Sequence, residues 1–139
     1  MAVPMNGNHR CLTHMLRIFV IMKYDKHFFV CQNERSDASK KSCGKEQAQL
    51  MVQALRESIR EVNSDQNALV RVRAQACTCL DACSEGPALV VYPDGVWYGR
   101  VQPSDAREIV EAHLRNMPAV TRLQIFRNPA PDQPDATAG

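Results

Sequence analysis

Between Gly44 and Val62, the apolar residues Met51, Leu55, Ile59 and Val62 recur at i, i+4, i+8 and i+11, one face of an α-helix. Arg56, Glu57, Arg60 and Glu61 fill the other side. A helix with a single apolar stripe must bury it against a second layer, and its flanks say what that layer is. Upstream, Lys26–Cys31 reads KHFFVC, an aromatic and β-branched run of strand type that ends on a cysteine. Downstream, Asn63–Asn67 (NSDQN) closes the helix with turn formers, and Ala68–Ala74 alternates Val70 and Val72 with Arg71 and Arg73, a strand with one wet face. Strand, helix, strand in that order predicts a right-handed βαβ unit with two parallel strands.

The rest of the pattern adds an antiparallel pair. Ala88–Tyr92 (ALVVY) and Val96–Val101 (VWYGRV) flank Pro93-Asp94-Gly95, a hairpin turn signal. Pro103–Asn116 predicts a second helix, started by Gln102-Pro103-Ser104-Asp105, carrying Ile109, Val110, His113 and Leu114 on its apolar face and stopped by Pro118. The order β-α-β-β-β-α predicts an α/β fold, a mixed four-stranded sheet with two flanking helices in the manner of thioredoxin. From Ala119 onward the pattern is lost, and NPAPDQPDATAG (Asn128–Gly139) holds three prolines and no large apolar residue. This divides the chain into a leader at 1–21, one domain at 22–117, and a largely disordered tail at 118–139.

The leader contains LRIFVIM (Leu16–Met22), an apolar run interrupted by Arg17 and followed by Lys23. It lacks the uninterrupted apolar region and small-residue cleavage site of a signal peptide, and is shorter than the roughly 20 residues that span a bilayer. Residues 1–21 therefore read as an unstructured leader, or as a translated stretch upstream of a start at Met22. Arg10 and Arg17 account for the net charge of +2, and the remainder balances. With no basic stripe, nucleic acid is not an expected partner; nor is a membrane. The expected compartment is the cytoplasm, where clustered thiols serve as metal ligands or redox groups more often than as disulfides.

The chain has six cysteines, and three of them, Cys77, Cys79 and Cys83, lie within CTCLDACSEGP. A domain of this size buries a core without covalent staples, so chemistry is the better account of them. Cys31 falls at the carboxyl end of the first strand and Cys43 at the start of the first helix. Cys79 and Cys83 fall in the loop after the second parallel strand. Ligands of open α/β sheets bind beyond the carboxyl ends of parallel strands, and two loops leaving neighbouring strands can meet there. Each brings a pair, Cys31-x11-Cys43 and Cys79-x3-Cys83, which together make one tetrathiolate site. The x3 spacing suits structural zinc and the x11 spacing does not. A [2Fe–2S] cluster takes four thiolates and is longer than a single ion. Spacing alone leaves iron–sulfur, zinc and dithiol chemistry open. A thioredoxin-type oxidoreductase needs a C-x-x-C pair, which this sequence lacks, and no set of catalytic acids, bases and nucleophiles stands out.

KHFFVC, the polar loop ending in SCG, and CLDACSEGPALVVYPDGVWYGRV resemble the thioredoxin-like [2Fe–2S] ferredoxins, from about Met22 to Met117. The resemblance implies a [2Fe–2S] cluster on Cys31, Cys43, Cys79 and Cys83, and an electron carrier rather than an enzyme. It also implies redox partner proteins of reductase, oxidoreductase or hydrogenase type, and a homodimer as in many free-standing members. An iron–sulfur sensor, or a protective protein that binds an enzyme according to cluster state, is the alternative. Cys77 departs from the pattern and reads as a small buried turn residue beside the site; Thr78 stands where the family often has glycine. Backbone N–H groups next to Gly44 and around Ser84–Gly86 are the expected donors to sulfur. Of Trp97 and Tyr98, one should face the core. His27 and His113 read as structural, and Arg100 as a weak partner-contact candidate.

Overall fold

In the computed structural model, which describes residues 22–126 apart from 38, 41 and 68, the first strand β1 (Lys26–Cys31) alternates as its sequence implies. Phe28 and Val30 are fully buried on one face, and His27 and Phe29 are half-buried on the other. The helix α1 (Lys45–Ser64) buries Ala48, Met51, Val52, Leu55, Ser58, Ile59 and Val62, the whole anticipated stripe among them. Full burial of each large apolar side chain contributes about 1.5–3 kcal/mol. The second strand, β2 (Val72–Cys77), pairs parallel with β1 from Lys26↔Val72 to Cys31↔Cys77.

Strand β3 (Leu89–Tyr92) runs antiparallel to β1, and β4 (Val96–Tyr98) antiparallel to β3 through the Pro93–Gly95 turn. The helix α2 (Ala106–Leu114) follows a short 3-10 turn at Pro103–Asp105. Both helices share one face of the sheet, where Phe28, Val30, Leu89, Val91 and Tyr98 meet Leu55, Ile59, Ile109, Val110 and Leu114 in a single core.

Three details differ from the expectation. The second strand lies at 72–77 rather than 68–74. Asn63 bonds both backbone groups of Val70 (3.0 and 3.2 Å), and Asp25 accepts from the Arg71 backbone and guanidinium. Residues 70–71 are thereby held before the ladder starts, and Cys77 becomes the last residue of a strand rather than part of a turn. The fourth strand stops at Tyr98, because Gly99 and Arg100 turn aside to grip the cysteine loop.

A fifth strand is also present: β5 (Gln124–Ile125) pairs antiparallel with β4, giving the order β2-β1-β3-β4-β5. Val120, Leu123 and Ile125 are buried, so packed residues continue past 117 as far as Ile125. The leader at 1–21 and the tail from 127 lie outside the described residues. Among the described residues, no helix is long and apolar enough to cross a membrane.

Candidate metal centre

Because β1 and β2 are parallel, their carboxyl ends emerge side by side, and Cys31 and Cys77 face each other across the last rung. The loop after β1 doubles back to bring in Cys43. It is closed by the Gly44 amide donating to Asn33 O (3.0 Å) and by the Lys45 amide donating to Glu34 Oε1 (2.9 Å). Gly44 has φ +82°, a left-handed conformation that glycine adopts without strain, and it turns the chain from Cys43 directly into α1. The loop after β2 carries Cys79 past Asp81 and into the 3-10 turn Cys83–Glu85.

That second loop is gripped from behind. Arg100 N–H donates to Glu85 O (2.8 Å), Val101 N–H to Pro87 O (3.1 Å), and the Arg100 guanidinium pairs with the Glu85 carboxylate. A Cβ on Gly99 would lie 2.7 Å from Glu85 O, and one on Gly86 would lie 3.0 Å from Cys43 Sγ. The absence of a side chain at both positions lets the two loops close on each other.

The result is a convergence of thiols. Cys31, Cys43 and Cys83 are buried, with sulfurs all within 4.8 Å of one another. Cys79 Sγ lies 3.7 Å from Cys83 Sγ and is exposed, so the group reaches the surface on that side. Among the described residues, this is the only gathering of three or more histidine, cysteine or carboxylate groups able to share a metal. Sulfur donors without a carboxylate suit soft centres, zinc or iron–sulfur. The four residues singled out from the sequence are therefore brought together. Cys77 is not in the group: half-buried, its sulfur lies 3.6 Å from Val30 O.

Burial pushes the Cys43 thiol up to about 12, against the opposing hydrogen bond from the Ala88 amide. For Cys79, the Asp81 amide (3.3 Å) lowers the thiol, but the Cys83 hydrogen bond, burial and neighbouring thiols outweigh it and hold it above the usual range. Cys83 goes the other way. Burial raises it, but hydrogen bonds from Asn33 (Nδ2 at 3.6 Å), Cys79 and Arg35, with the Arg35 charge, leave it below the usual range. A thiol pushed up by burial binds metal with displacement of its proton, and the metal supplies the charge that burial removes.

The sulfur donors are not the ones anticipated. The amides of Gly44, Glu85 and Gly86 donate to Asn33 O, Ala82 O and Cys83 O instead. Asp81 and Ala88 provide the backbone N–H groups. Asn33 and Arg35 were missed, because the polar loop carries no periodicity and only its closure over Cys83 reveals them.

The remaining candidates are structural. Tyr98 is fully buried, and Trp97 is half-buried with an edge contact to Phe126 at 5.7 Å. His27 stacks on Phe29 at 4.0 Å. His113 is held in the core by Tyr98 and Asp94.

No family model matches the chain. Relatives do. The chain is 39% identical over 107 residues to a 2Fe-2S ferredoxin of Aquifex aeolicus, covering 76% of this chain and 94% of that protein. It is 37% identical over 102 residues to a 2Fe-2S ferredoxin of Clostridium pasteurianum, covering 71% and 94%. Among solved structures, a thioredoxin-like [2Fe-2S] ferredoxin from Aquifex aeolicus matches with a TM-score of 0.61 at 39% identity, over 78% of this chain and 96% of that one.

Proposed function

The chain belongs to the thioredoxin-like [2Fe–2S] ferredoxin family, and from that premise we propose that it is a one-electron carrier whose cluster is held by the thiolates of Cys31, Cys43, Cys79 and Cys83. One observation carries the ligand assignment: three buried sulfurs within 4.8 Å of one another, with Cys79 3.7 Å from the third. When bound, a [2Fe–2S] cluster supplies reversible one-electron chemistry.

The chain's own residues set the conditions for that chemistry. Cys31 and Cys43 anchor the buried side, where Ala88 N–H meets the Cys43 sulfur. Cys79 and Cys83 form the side nearer solvent, and electrons enter and leave there, because Cys79 is the exposed member. Donors to sulfur favour the more negative, reduced state, while four anionic thiolates oppose it and keep the potential in the negative part of the iron–sulfur range. The partners on this reading are redox proteins of reductase, oxidoreductase or hydrogenase type.

The homodimer also belongs to this reading. The sheet face without helices presents half-buried Phe29 and Trp97 with exposed Tyr92 and Phe126, apolar surface that a second copy would cover; sedimentation gives its mass directly.

The ferredoxin reading is tested on protein purified without oxygen, by its visible spectrum and its iron and acid-labile sulfide. About two iron and two sulfide per chain, with colour bleached by dithionite, supports the cluster. Serine at Cys31, Cys43, Cys79 or Cys83 then abolishes or reshapes the spectrum, and serine at Cys77 leaves it intact. A colourless protein with one zinc ion overturns the reading.

A further inference from the structure

Arg35 lies in the loop between Cys31 and Cys43 and lines the same notch, of about 270 Å³, as Cys83, with Lys40, Asp81 and Ser84. From there its positive charge bears on Cys83 and favours the thiolate. The other nearby carboxylates are engaged elsewhere: Glu34 accepts from the Lys45 amide, and Asp37 accepts from Ser39 and pairs with Lys40. Arg71, Arg100, Arg107, Arg115 and Arg122 pair with carboxylates, whereas among the described residues Arg35, like Arg56, Arg60 and Arg73 on α1 and β2, forms no salt bridge. Arg35 therefore brings a positive charge into the notch beside one sulfur of the thiol group, with the Asp81 carboxylate on the same notch and in no salt bridge among the described residues.

The donors to the other sulfurs are of a different kind. Cys79 and Cys43 receive neutral backbone amides, from Asp81 and Ala88. Arg35 instead brings a full charge near the Cys83 sulfur, and net charge is one of the protein's levers on cluster potential. Adding one electron to a tetrathiolate centre adds one negative charge and changes no covalent bond. A cation beside Cys83 stabilises that added charge.

We propose that Arg35 is a potential-setting positioning residue: its guanidinium, sharing the notch with Cys83, raises the reduction potential of the centre and does so from the side where electrons are exchanged. The proposal rests on the ferredoxin reading above. Because the notch is open to solvent, the effect is partly screened by salt.

The test is a dithionite redox titration of cluster-loaded protein, read by visible absorption and electron paramagnetic resonance, with iron and sulfide counted for every sample. Arg35→Gln moves the midpoint to more negative values. A tenfold loss in the reduction equilibrium is the effect sought, which is about 59 mV for a one-electron couple. Arg35→Lys, which keeps the charge but loses the planar fork, recovers part of the shift. Arg73→Gln, on β2 and bonded to Gln75, is the control and stays at the parent value. The parent midpoint falls as salt rises, and Arg35→Gln loses most of that dependence.

Fully loaded Arg35→Gln at the parent potential overturns the proposal and leaves Arg35 as a loop contact only. If Arg35→Gln fails to load, Arg35→Lys and the salt series decide: a parent midpoint indifferent to salt, with Arg35→Lys unchanged, also overturns it. Parent protein without iron and sulfide is a different failure, that of the ferredoxin reading itself.

Discussion

The two ends of the sheet solve the problem of buried polarity in opposite ways. At the carboxyl ends of β1 and β2, Cys31, Cys43 and Cys83 are packed together with few and mostly weak donors. At the other end, Lys26 and Asp94 pair at 2.5 Å, Asp94 accepts from His113 Nδ1 at 2.5 Å, and His113 Nε2 meets Tyr98 Oη at 2.8 Å. The Val120 amide donates to the same Tyr98 oxygen at 3.3 Å. Asp94 can only accept, so Nδ1 carries the hydrogen and Nε2 accepts from the tyrosine hydroxyl. Every member of this chain is satisfied with His113 neutral, and it ties β1, β4, α2 and the segment leading to β5 together. One end is complete within the protein; the other is a set of soft donors suited to a metal centre. A protein that must keep a cluster in place while exchanging electrons gains from a rigid far end.

This contrast is open to attack from both sides. The largest effect is expected at the cysteine end. On the proposed ligand set, Cys43→Ser places a poorer donor at a buried position of the group, so the visible spectrum collapses or changes form and iron per chain drops, while far-ultraviolet circular dichroism keeps its α/β shape. Next, Gly86→Ala puts a Cβ 3.0 Å from Cys43 Sγ and 3.2 Å from Cys83 O. It lowers cluster loading and alters visible circular dichroism, with less effect than loss of a ligand.

At the far end, Tyr98→Phe leaves His113 Nε2 without its donor and the Val120 amide without its acceptor. It costs about 1–3 kcal/mol in denaturant unfolding, with the visible spectrum unchanged. A spectrum that shifted as much as in Gly86→Ala would show that the ends are not independent.

Acid tests the same end more gently. Burial lowers His113 below its ordinary 6.5, outweighing the opposing hydrogen bond and charge of Asp94. Burial raises Asp94, but Lys26 and His113 outweigh it and hold the carboxyl below 3.8. The unfolded chain therefore takes up the His113 proton before the folded one does, and stability falls as pH drops below about 6.5. The contribution of Asp94 is present above 3.8 and is lost as pH falls through its lower folded value. Both act in the same direction. The thermal midpoint declines between about pH 7 and pH 5, and His113→Gln flattens that limb. The smallest effect belongs to Arg100→Ala, whose ion pair with Glu85 is largely exposed; it costs under about 1 kcal/mol.

Much of this was legible in the chain itself. The stripe of Met51, Leu55, Ile59 and Val62, the KHFFVC strand and the Asp-Gly turn determined the α/β order, because apolar periodicity and turn chemistry act over a few residues and leave a local record. The spacing of Cys31, Cys43, Cys79 and Cys83 on that order was enough to nominate them as a candidate set, and the fold gathers their sulfurs. Tertiary structure decided the rest. β5 is two residues long, too short to leave a pattern, and forms only because β4 offers an edge and Val120, Leu123 and Ile125 find a core. The register of β2, and with it the place of Cys77 opposite Cys31, was set by pairing to β1 and by Asn63 and Asp25 holding the residues before it. Asn33 and Arg35 reach Cys83 across some fifty positions, and Tyr98, His113 and Asp94 meet from three separate elements. Hydrogen bonds and charges between residues far apart in sequence depend on where the backbone carries them, and only the folded chain holds that information.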